Sequence, residues 1–229
     1  MAMSIDGRIA DRLGHSKWIT TEKSRRMVKT IRNYVDCIII GGKTALIDNP
    51  SLTSLNPKWQ PFRVVLTSQL LPLTYNLMQD QVAEKTIIAS SVMFDKNKVR
   101  KIQDRGIKIW YFEPQNGRLP LVVLLQKLSE IGCLHVLIEG GSCLAGSFIK
   151  EKLVDRFLFF LAPIIIGEKG KSVVNKFDVL LRDAYHLKFC KIFNIGGDIL
   201  IGALPLPPPD SSFFRNIFYN IDLSYMESK

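Results

Sequence analysis

Short β-branched apolar runs alternate with amphipathic segments along most of this chain, and no other feature limits its possible folds as much. Such alternation is typical of α/β proteins, in which helices cover a mostly parallel sheet. The pattern predicts helices over residues 21–34, 91–105, 119–131 and 142–151. It predicts strands over residues 37–40, 63–66, 86–89, 108–112, 135–139, 157–166, 187–193 and 199–204. We therefore expect an α/β fold with a mostly parallel central sheet flanked by helices.

A proline-rich run divides the chain near its end. Residues 205–210 read Pro-Leu-Pro-Pro-Pro-Asp, which predicts an extended linker because it cannot continue a strand. We expect one domain over residues 1–204, which at 47% hydrophobic content is large enough to bury its own core. The linker and tail occupy residues 205–229. Apolar side chains such as Phe213 and Ile217 predict either a docking helix or a loosely ordered appendage there.

The charge and cysteine patterns exclude several classes of protein. The net charge of +10 fits an anionic ligand, but Lys and Arg are scattered and form no stripe with aromatic residues, so we expect no nucleic acid. The four cysteines lie far apart in the sequence without a Cys-x-x-Cys pair, which predicts neither a metal site nor a disulfide. Without a membrane-length apolar stretch or a signal-peptide core, the sequence predicts a soluble, cytoplasmic protein.

Residues 41–53 follow the predicted strand 37–40 directly and have the composition of an anion-binding loop. Two glycines open the backbone to a ligand, and hydroxyl groups, including that of Thr44, add neutral donors. A P-loop is excluded by spacing, because its first glycine would fall at Cys37. The segment therefore predicts a phosphate-binding or nucleotide-binding loop.

A second candidate anion site begins at Glu139, where a predicted strand runs into Gly140, Gly141 and Ser142 and then into a helix. The N–H groups and the positive dipole end of such a helix can bind a pyrophosphate, although a plain helix cap has the same pattern. Glu139 itself lies where open α/β sheets bind ligands, but it also fits an ordinary surface carboxylate.

A third group of candidates surrounds the first predicted helix. Thr20 or Thr21 can cap its start. Trp18 fits either core packing or a ligand contact, and Arg32 fits either a phosphate ligand or an exposed arginine at the helix end.

Together with the segments 3–10, 14–20 and 139–148, these features resemble the reductase domain of the bacterial riboflavin-biosynthesis deaminase/reductase, over roughly residues 2–204. The resemblance implies a dihydrofolate-reductase-like fold and a homodimer. It also implies NADPH-dependent reduction of 5-amino-6-(5-phosphoribosylamino)uracil to its ribityl counterpart, although the residues alone leave NADH open.

The resemblance also implies roles for individual residues. The cofactor-binding residues would be Ala2, Trp18, Thr44, Asp48, Ser68, Gly141, Ser142, Cys143, Leu144, Ala145, Gly146 and Ser147. The substrate-binding residues would be Ser16, Arg32, Leu52 and Glu139. Asp48 is the first candidate for a catalytic proton or water relay, and His15 is the second.

The chain departs from the family pattern in three places. Leu55 stands where the family has a phosphate-binding arginine, and only weak compensation is expected from Lys58 or Arg63. The first strand looks truncated before Ala2. The sequence carries no zinc-deaminase signature, so we expect a reductase alone, with the deaminase carried elsewhere.

Three alternatives follow from these departures and from the charge. The first is dihydrofolate reductase or another pyrimidine reductase on the same fold, with Arg32 and Glu139 as the discriminating residues. The second is a non-catalytic descendant that binds a nucleotide or a partner protein, and the third is a basic RNA-binding module.

Overall fold

A computed structural model describes residues 1–208 of the chain, and the predicted tail helix around Phe213 lies outside them. The described part forms two compact units, Lys29–Leu144 and Met1–Val28 together with the described residues from Ala145 onward. In chain order, the helices and strands are β1 (Ala2–Ser4), β2 (Arg8–Ala10), α1 (Glu22–Ile31), β3 (Cys37–Gly41), α2 (Gly42–Asp48), β4 (Phe62–Leu66), α3 (Asn76–Gln79), β5 (Thr86–Ser90), α4 (Lys96–Gln103), β6 (Lys108–Tyr111), α5 (Leu121–Glu130), β7 (Val136–Ile138), α6 (Ser142–Lys150), β8 (Phe157–Ala162), β9 (Lys171–Ser172), β10 (Leu187–Ile195) and β11 (Asp198–Pro205).

The unit Lys29–Leu144 is built on a five-stranded sheet in the order β6-β5-β4-β3-β7. Every neighbouring pair in it is parallel. Ile38, Ile39 and Ile40 of β3 are all buried, as expected for a strand covered on both faces. Helices connect the parallel strands, which confirms the predicted α/β class with a parallel sheet.

The other unit has a four-stranded mixed sheet in the order β1-β8-β11-β10. Strand β1 is parallel to β8, whereas β11 is antiparallel to both of its neighbours. Phe160 of β8 and Leu200 of β11 are opposite each other and buried on one face of this sheet. Strands β2 and β9 form a separate two-stranded pair that the sequence pattern did not predict.

Several predicted boundaries are wrong for identifiable reasons. The helix predicted over 91–105 begins only at Lys96, because the Asp95 side chain caps it by accepting from Lys98 N at 3.0 Å. The strand predicted over 157–166 ends at Ala162, directly before Pro163. Strand β11 includes Pro205, which pairs with Leu187, so the proline does not end the strand where predicted. The domain boundary at residue 204 stays a prediction.

Helix α2 lies where the sequence predicted a loop. Gly41 and Gly42 made the segment look like a loop in the sequence. The helix forms because Ala45 is buried and Leu46 packs against the core of the unit. The two glycines were predicted to open the backbone to a ligand, but their geometry indicates another role. Gly41 has ordinary extended backbone geometry, and a Cβ at Gly42 would lie 2.4 Å from Thr67 Oγ1. Gly42 therefore allows close packing against the residue that follows β4.

Thr21 caps α1, in agreement with one of the two predicted caps. Ser24 N donates to Thr21 Oγ1 at 3.4 Å. The buried carboxylate of Asp198 accepts from Thr21 N at 2.7 Å and from Ser24 Oγ at 2.6 Å. This carboxylate therefore stabilises the positive end of the helix.

Cys37 and Cys133 are neighbours in the structure although they are far apart in the sequence. Both are buried, and burial together with the hydrogen bond that Cys37 donates to Cys133 raises the pKa of Cys37. Within residues 1–208, no cluster of His, Cys, Asp and Glu could hold a metal ion. No helix in that range is long and apolar enough to cross a membrane.

Candidate functional site

The strand order of the five-stranded sheet predicts a ligand crevice between β3 and β7. From β3 the chain passes through α2 to β4 on one side, whereas β7 lies on the other side of β3 and leads into α6. Open α/β sheets bind ligands at the carboxyl ends of the strands where the connections diverge in this way. The segments that follow Gly41 and Ile138 therefore form the candidate site.

The turn after β7 is shaped by two glycines and by Thr44 of α2. Gly140 and Gly141 have positive φ values of 66° and 83°. A Cβ at Gly141 would lie 3.0 Å from Thr44 Oγ1, and a Cβ at Gly140 would lie 3.1 Å from Thr44 Cγ2. Helix α6 begins at Ser142, so the structure brings together three predicted cofactor residues, Thr44, Gly141 and Ser142, at the start of this helix.

Arg32 and Glu139 form a bidentate ion pair in this unit. Arg32 Nε donates to Glu139 Oε1 and Nη2 donates to Oε2, each at 2.7 Å. Arg32 Nη1 also donates to the carbonyl of Thr53 at 3.0 Å. The side chains are only 13% and 18% exposed, so neither is the plain surface charge that the sequence left open. Two predicted substrate residues are therefore in direct contact.

Residues 49–53, named here the 49–53 loop, follow α2 and contain two residues in the left-handed conformation. Asn49 has φ 41° and Leu52 has φ 54°. Leu52 as a whole residue is only 3% exposed and packs in the core of the unit, so its predicted contact with the substrate stays a prediction. Left-handed backbone at a residue with a branched side chain is strained, and such strain is common at functional sites.

The other predicted residues of this unit lie at the ends of α2, β4 and α6. Asp48 is the last residue of α2, and Ser68 is exposed two residues after the end of β4. Cys143 and Leu144 lie in the first turn of α6, whereas Ala145 and Ser147, further along this helix, belong to the other compact unit, so their place in the site stays a prediction.

The structure gives Gly146 a packing role. A Cβ at Gly146 would lie 1.9 Å from the carbonyl oxygen of Asn175. Only glycine allows this approach, which explains the residue without any ligand. Its predicted contact with the cofactor stays a prediction.

Ala2, Ser16 and Trp18 belong to the other compact unit, so their place in the same site stays a prediction. Trp18 has a positive φ of 69° and is 74% exposed, which makes the core-packing interpretation wrong. The Arg25 guanidinium lies 4.3 Å from the centre of its ring. An exposed aromatic ring fixed by a cation is suited to contact with a ligand.

His15 is held in an exposed loop of that unit. Its Nδ1 lies 2.9 Å from Asp11 Oδ2, and its backbone N–H donates to Asp11 Oδ1 at 2.9 Å. The backbone hydrogen bond from His15 is the main cause of a lowered pKa at Asp11. Asp11 therefore orients the imidazole, although its predicted proton-relay role stays a prediction.

Compensation for Leu55 by Arg63 is ruled out by the structure. The Arg63 side chain is 1% exposed and paired with Asp80, so it cannot turn toward a ligand. Leu55 is exposed, and its N–H donates to Asn33 Oδ1 at 3.0 Å. The contacts of Arg63 with the 49–53 loop were missed from the sequence, although an arginine within the apolar run 62–66 was an available signal.

The five parallel strands, the diverging connections and the glycine turn define an α/β protein with a candidate anion site at the carboxyl edge of its sheet. Residues 1–201 match the model of the RibD C-terminal domain. The chain belongs to this family.

Individual relatives agree with the family match. The riboflavin biosynthesis protein RibD of Chlamydia muridarum is 33% identical over 204 residues, covering 86% of this chain and 54% of that protein. Acinetobacter baumannii RibD has a TM-score of 0.78 at 26% identity, covering 90% of this chain and 56% of that chain. A deaminase/5-amino-6-(5-phosphoribosylamino)uracil reductase of Thermotoga maritima has a TM-score of 0.70 at 23% identity, covering 89% of this chain and 54% of that chain.

The comparisons confirm the predicted family resemblance and the dihydrofolate-reductase-like fold class. The chain spans about half the length of the curated relatives that it matches.

Proposed function

We propose that this chain reduces the ribosyl group of 5-amino-6-(5-phosphoribosylamino)uracil to the ribityl group in riboflavin biosynthesis, with NADPH as the reductant. The observation that carries the proposal is the candidate site between β3 and β7, with the glycine turn before α6 and the Arg32–Glu139 pair. Membership of the RibD C-terminal domain family and the names of its relatives support this activity.

The glycine turn fits the pyrophosphate of a dinucleotide. Any Cβ at Gly141 would narrow the gap to Thr44, whereas the bare turn lets an anion approach the first N–H groups of α6. Thr44 and Ser142 add hydroxyl donors beside it. When bound, NADPH supplies a hydride from C4 of its nicotinamide to C1′ of the sugar. Trp18, Asp48 and Ser68 would contact other parts of the cofactor.

The Arg32–Glu139 pair fits a substrate that has both N–H donors and a phosphate. The Glu139 carboxylate has further lone pairs to accept from the ring amides of a uracil. Arg32 has five N–H donors, of which three are used in the described bonds. The other two can donate to the substrate phosphate while the pair keeps Glu139 oriented. Ser16 and Leu52 complete the proposed substrate site.

Net addition of a hydride to C1′ breaks the C1′–O4′ bond of the sugar ring, and one proton must be supplied so that O4′ becomes a hydroxyl group. Asp48, at the end of α2, is the proposed relay to the substrate or to a water molecule, and His15 is the second candidate. If neither D48N nor H15Q changes kcat, both residues are removed from this role.

The activity is tested by thermal unfolding with NADPH, with NADH and without ligand, followed by NADPH oxidation with the phosphoribosylaminouracil. We expect NADPH to raise Tm and the substrate to start oxidation. In E139Q the substrate KM should rise while the NADPH shift is kept, and E130Q, outside the crevice, should leave both unchanged. A rise in Tm without oxidation favours the non-catalytic descendant, and no rise contradicts the proposal.

The proposed functional unit is a homodimer formed through the apolar face of the four-stranded sheet. On this face Ile192 is opposite Ile201, which is opposite Phe159. Phe189 is opposite Ala203 in a neighbouring row. Ile192 and Phe189 are 60% and 63% exposed. A second copy of the chain can cover this face with its own identical face, as in a two-fold symmetric dimer.

The dimer is tested by sedimentation of the full chain at several concentrations. I192K should shift the protein to monomers because it places a charge in the apolar face. The control L181K changes a side chain that is 90% exposed outside the sheet, so it should stay dimeric. A dimer that withstands I192K would contradict this surface.

We also propose a cytoplasmic location. The supporting observation is that Cys37 and Cys133 are neighbouring free cysteines, a pattern usual in proteins of a reducing compartment. Fractionation of the native host should recover the chain with cytoplasmic enzymes, and recovery from another fraction would contradict the location.

A further inference from the structure

We propose that Arg63 is a positioning residue that holds the 49–53 loop in the conformation that meets the substrate. This inference rests on the proposed reductase function. Arg63 touches neither the crevice glycines nor Glu139 in the described bonds, so it would act only through the loop.

Arg63 is a buried cation whose Nη1 and Nη2 donate to several acceptors, while its Nε has no hydrogen-bond partner. Its guanidinium binds both carboxylate oxygens of Asp80, with Nη2 to Oδ1 at 2.9 Å. Nη2 also donates to the carbonyl of Val82 at 2.8 Å and to Thr86 Oγ1 at 2.7 Å. Buried charge is tolerated only when it is paired and hydrogen-bonded in this way. The guanidinium is therefore fixed in one position.

One bond of Arg63 reaches outside this cluster. Nη1 donates to the carbonyl of Ser51 at 2.9 Å, and Ser51 directly precedes the left-handed Leu52. An L-residue in the left-handed region costs about 1–2 kcal/mol, so the loop needs outside contacts to keep this conformation. The fixed guanidinium supplies such a contact next to the strained residue.

Alternate carbonyl groups of the loop are held by side chains from three different elements. Asn76 Nδ2 donates to the carbonyl of Asn49 at 2.8 Å. Arg63 Nη1 donates to the carbonyl of Ser51, and Arg32 Nη1 donates to the carbonyl of Thr53. Because one side of the loop backbone is bound to the body of the unit, the orientation of the Leu52 peptide groups is determined. Leu52 is one of the residues proposed to contact the substrate.

The test compares R63K with D80N. R63K keeps the positive charge beside Asp80 but loses the planar guanidinium group, whose Nη1 donates to the carbonyl of Ser51. We expect its substrate KM to rise about tenfold or more, with kcat within a few-fold and the NADPH-induced rise in Tm unchanged. D80N weakens the same buried cluster without touching the loop, so it should lower Tm and leave KM unchanged. If the two variants change KM in proportion to their loss of Tm, Arg63 has a structural role only.

A second readout does not depend on activity. Hydrogen exchange at the amides of residues 51–55 should be faster in R63K than in wild type and unchanged in D80N. Equal exchange in all three proteins overturns the proposal. An inactive wild type with faster exchange in R63K would refute the reductase function and keep the positioning role of Arg63.

N76A is a further variant in case R63K does not fold. It releases the loop at Asn49 without touching the Arg63 cluster, and it should raise the substrate KM and speed exchange of the same amides. Unchanged KM and exchange in N76A would show that the loop needs no such contacts, and would overturn the proposal.

Discussion

Two consecutive glycines in the left-handed conformation control access to the start of α6. Gly141 has φ 83°, and Thr44 Oγ1 lies 3.0 Å from the position of its missing Cβ. Gly132 in the same unit has φ 84° and nothing within 4 Å of that position. Gly141 and Gly132 therefore both need the left-handed backbone conformation, but only Gly141 has a side chain close to the position of its missing Cβ.

G141A should reduce cofactor binding more than stability. Both G141A and its control G132A should lose about 1–2 kcal/mol of unfolding free energy, because alanine disfavours the left-handed conformation. Only G141A should also lose the rise in Tm that NADPH produces, since its methyl group enters the anion site. Thermal unfolding of both variants with and without NADPH measures this. Equal NADPH shifts would show that the turn does not bind the cofactor.

L55R should strengthen substrate binding. Leu55 stands where the resemblance implies a phosphate-binding arginine, and the buried Arg63 cannot replace that arginine. A new charged hydrogen bond to the substrate phosphate is worth about 1.5–3 kcal/mol, so KM should fall roughly ten- to hundredfold. L134R, at an exposed leucine elsewhere in the unit, is the control and should leave KM unchanged. An unchanged KM in L55R would mean that no phosphate contact is missing.

Asp6 should make stability depend on acid pH. A hydrogen bond from Ser4 Oγ and the N–H of Gly167 lower the pKa of Asp6 from 3.8 to about 2. Because the folded-state pKa is lowered, its contribution to stability is complete above the unfolded-state pKa and is lost as pH falls from about 4 to about 2. D6N should therefore lose less stability than wild type between about pH 5 and about pH 3 in urea unfolding. Parallel losses would contradict this role.

Among the elements, α1 depends on a residue that is distant in the chain. The carboxylate oxygen Oδ2 of Asp198 accepts from Thr21 N, Thr21 Oγ1 and Ser24 Oγ at 2.7, 2.8 and 2.6 Å. This arrangement joins the beginning of β11 to the start of the helix. Both Asp198 and Ser24 are buried, so water cannot easily replace the carboxylate.

D198A should destabilise the fold strongly. Three donors, of which Ser24 Oγ is buried and two on Thr21 are partly buried, would lose their acceptor, which costs about 3 kcal/mol for hydrogen bonds to a charged group. The control D183A removes an exposed carboxylate and should change stability by less than about 0.5 kcal/mol. Urea unfolding measures both, and similar values for the two variants would contradict the role of Asp198 at α1.

Element types were more predictable than element ends. The β-branched runs that became β3, β4 and β5 were recognisable because buried parallel strands are apolar on both faces. Helix α2 was not, since its two glycines indicated a loop and its stability comes from burial of Ala45 in the folded unit. Strands β2 and β9 were missed because a pair of two or three residues leaves no periodic pattern.

At the scale of the whole molecule, the position of the crevice could be inferred only in part. The residues after strands 37–40 and 135–139 were recognised as candidate anion sites, but the sequence does not say that β3 and β7 are neighbours. The pairing of Arg32 with Glu139 and the burial of Arg63 were also unpredictable, because each depends on contacts between distant segments. The sequence therefore indicated which residues have suitable chemistry for a binding site, but it did not indicate which distant residues they contact.

The central claim is hydride transfer to C1′ of the substrate, and the most direct measurement is isotope transfer. Wild-type protein is incubated with the phosphoribosylaminouracil and NADPH that carries deuterium in the 4R or the 4S position. We predict that one of the two reagents gives a ribityl product about one mass unit heavier, with the deuterium at C1′. NADPH consumption with unlabelled product from both reagents, or no consumption at all, would contradict the account.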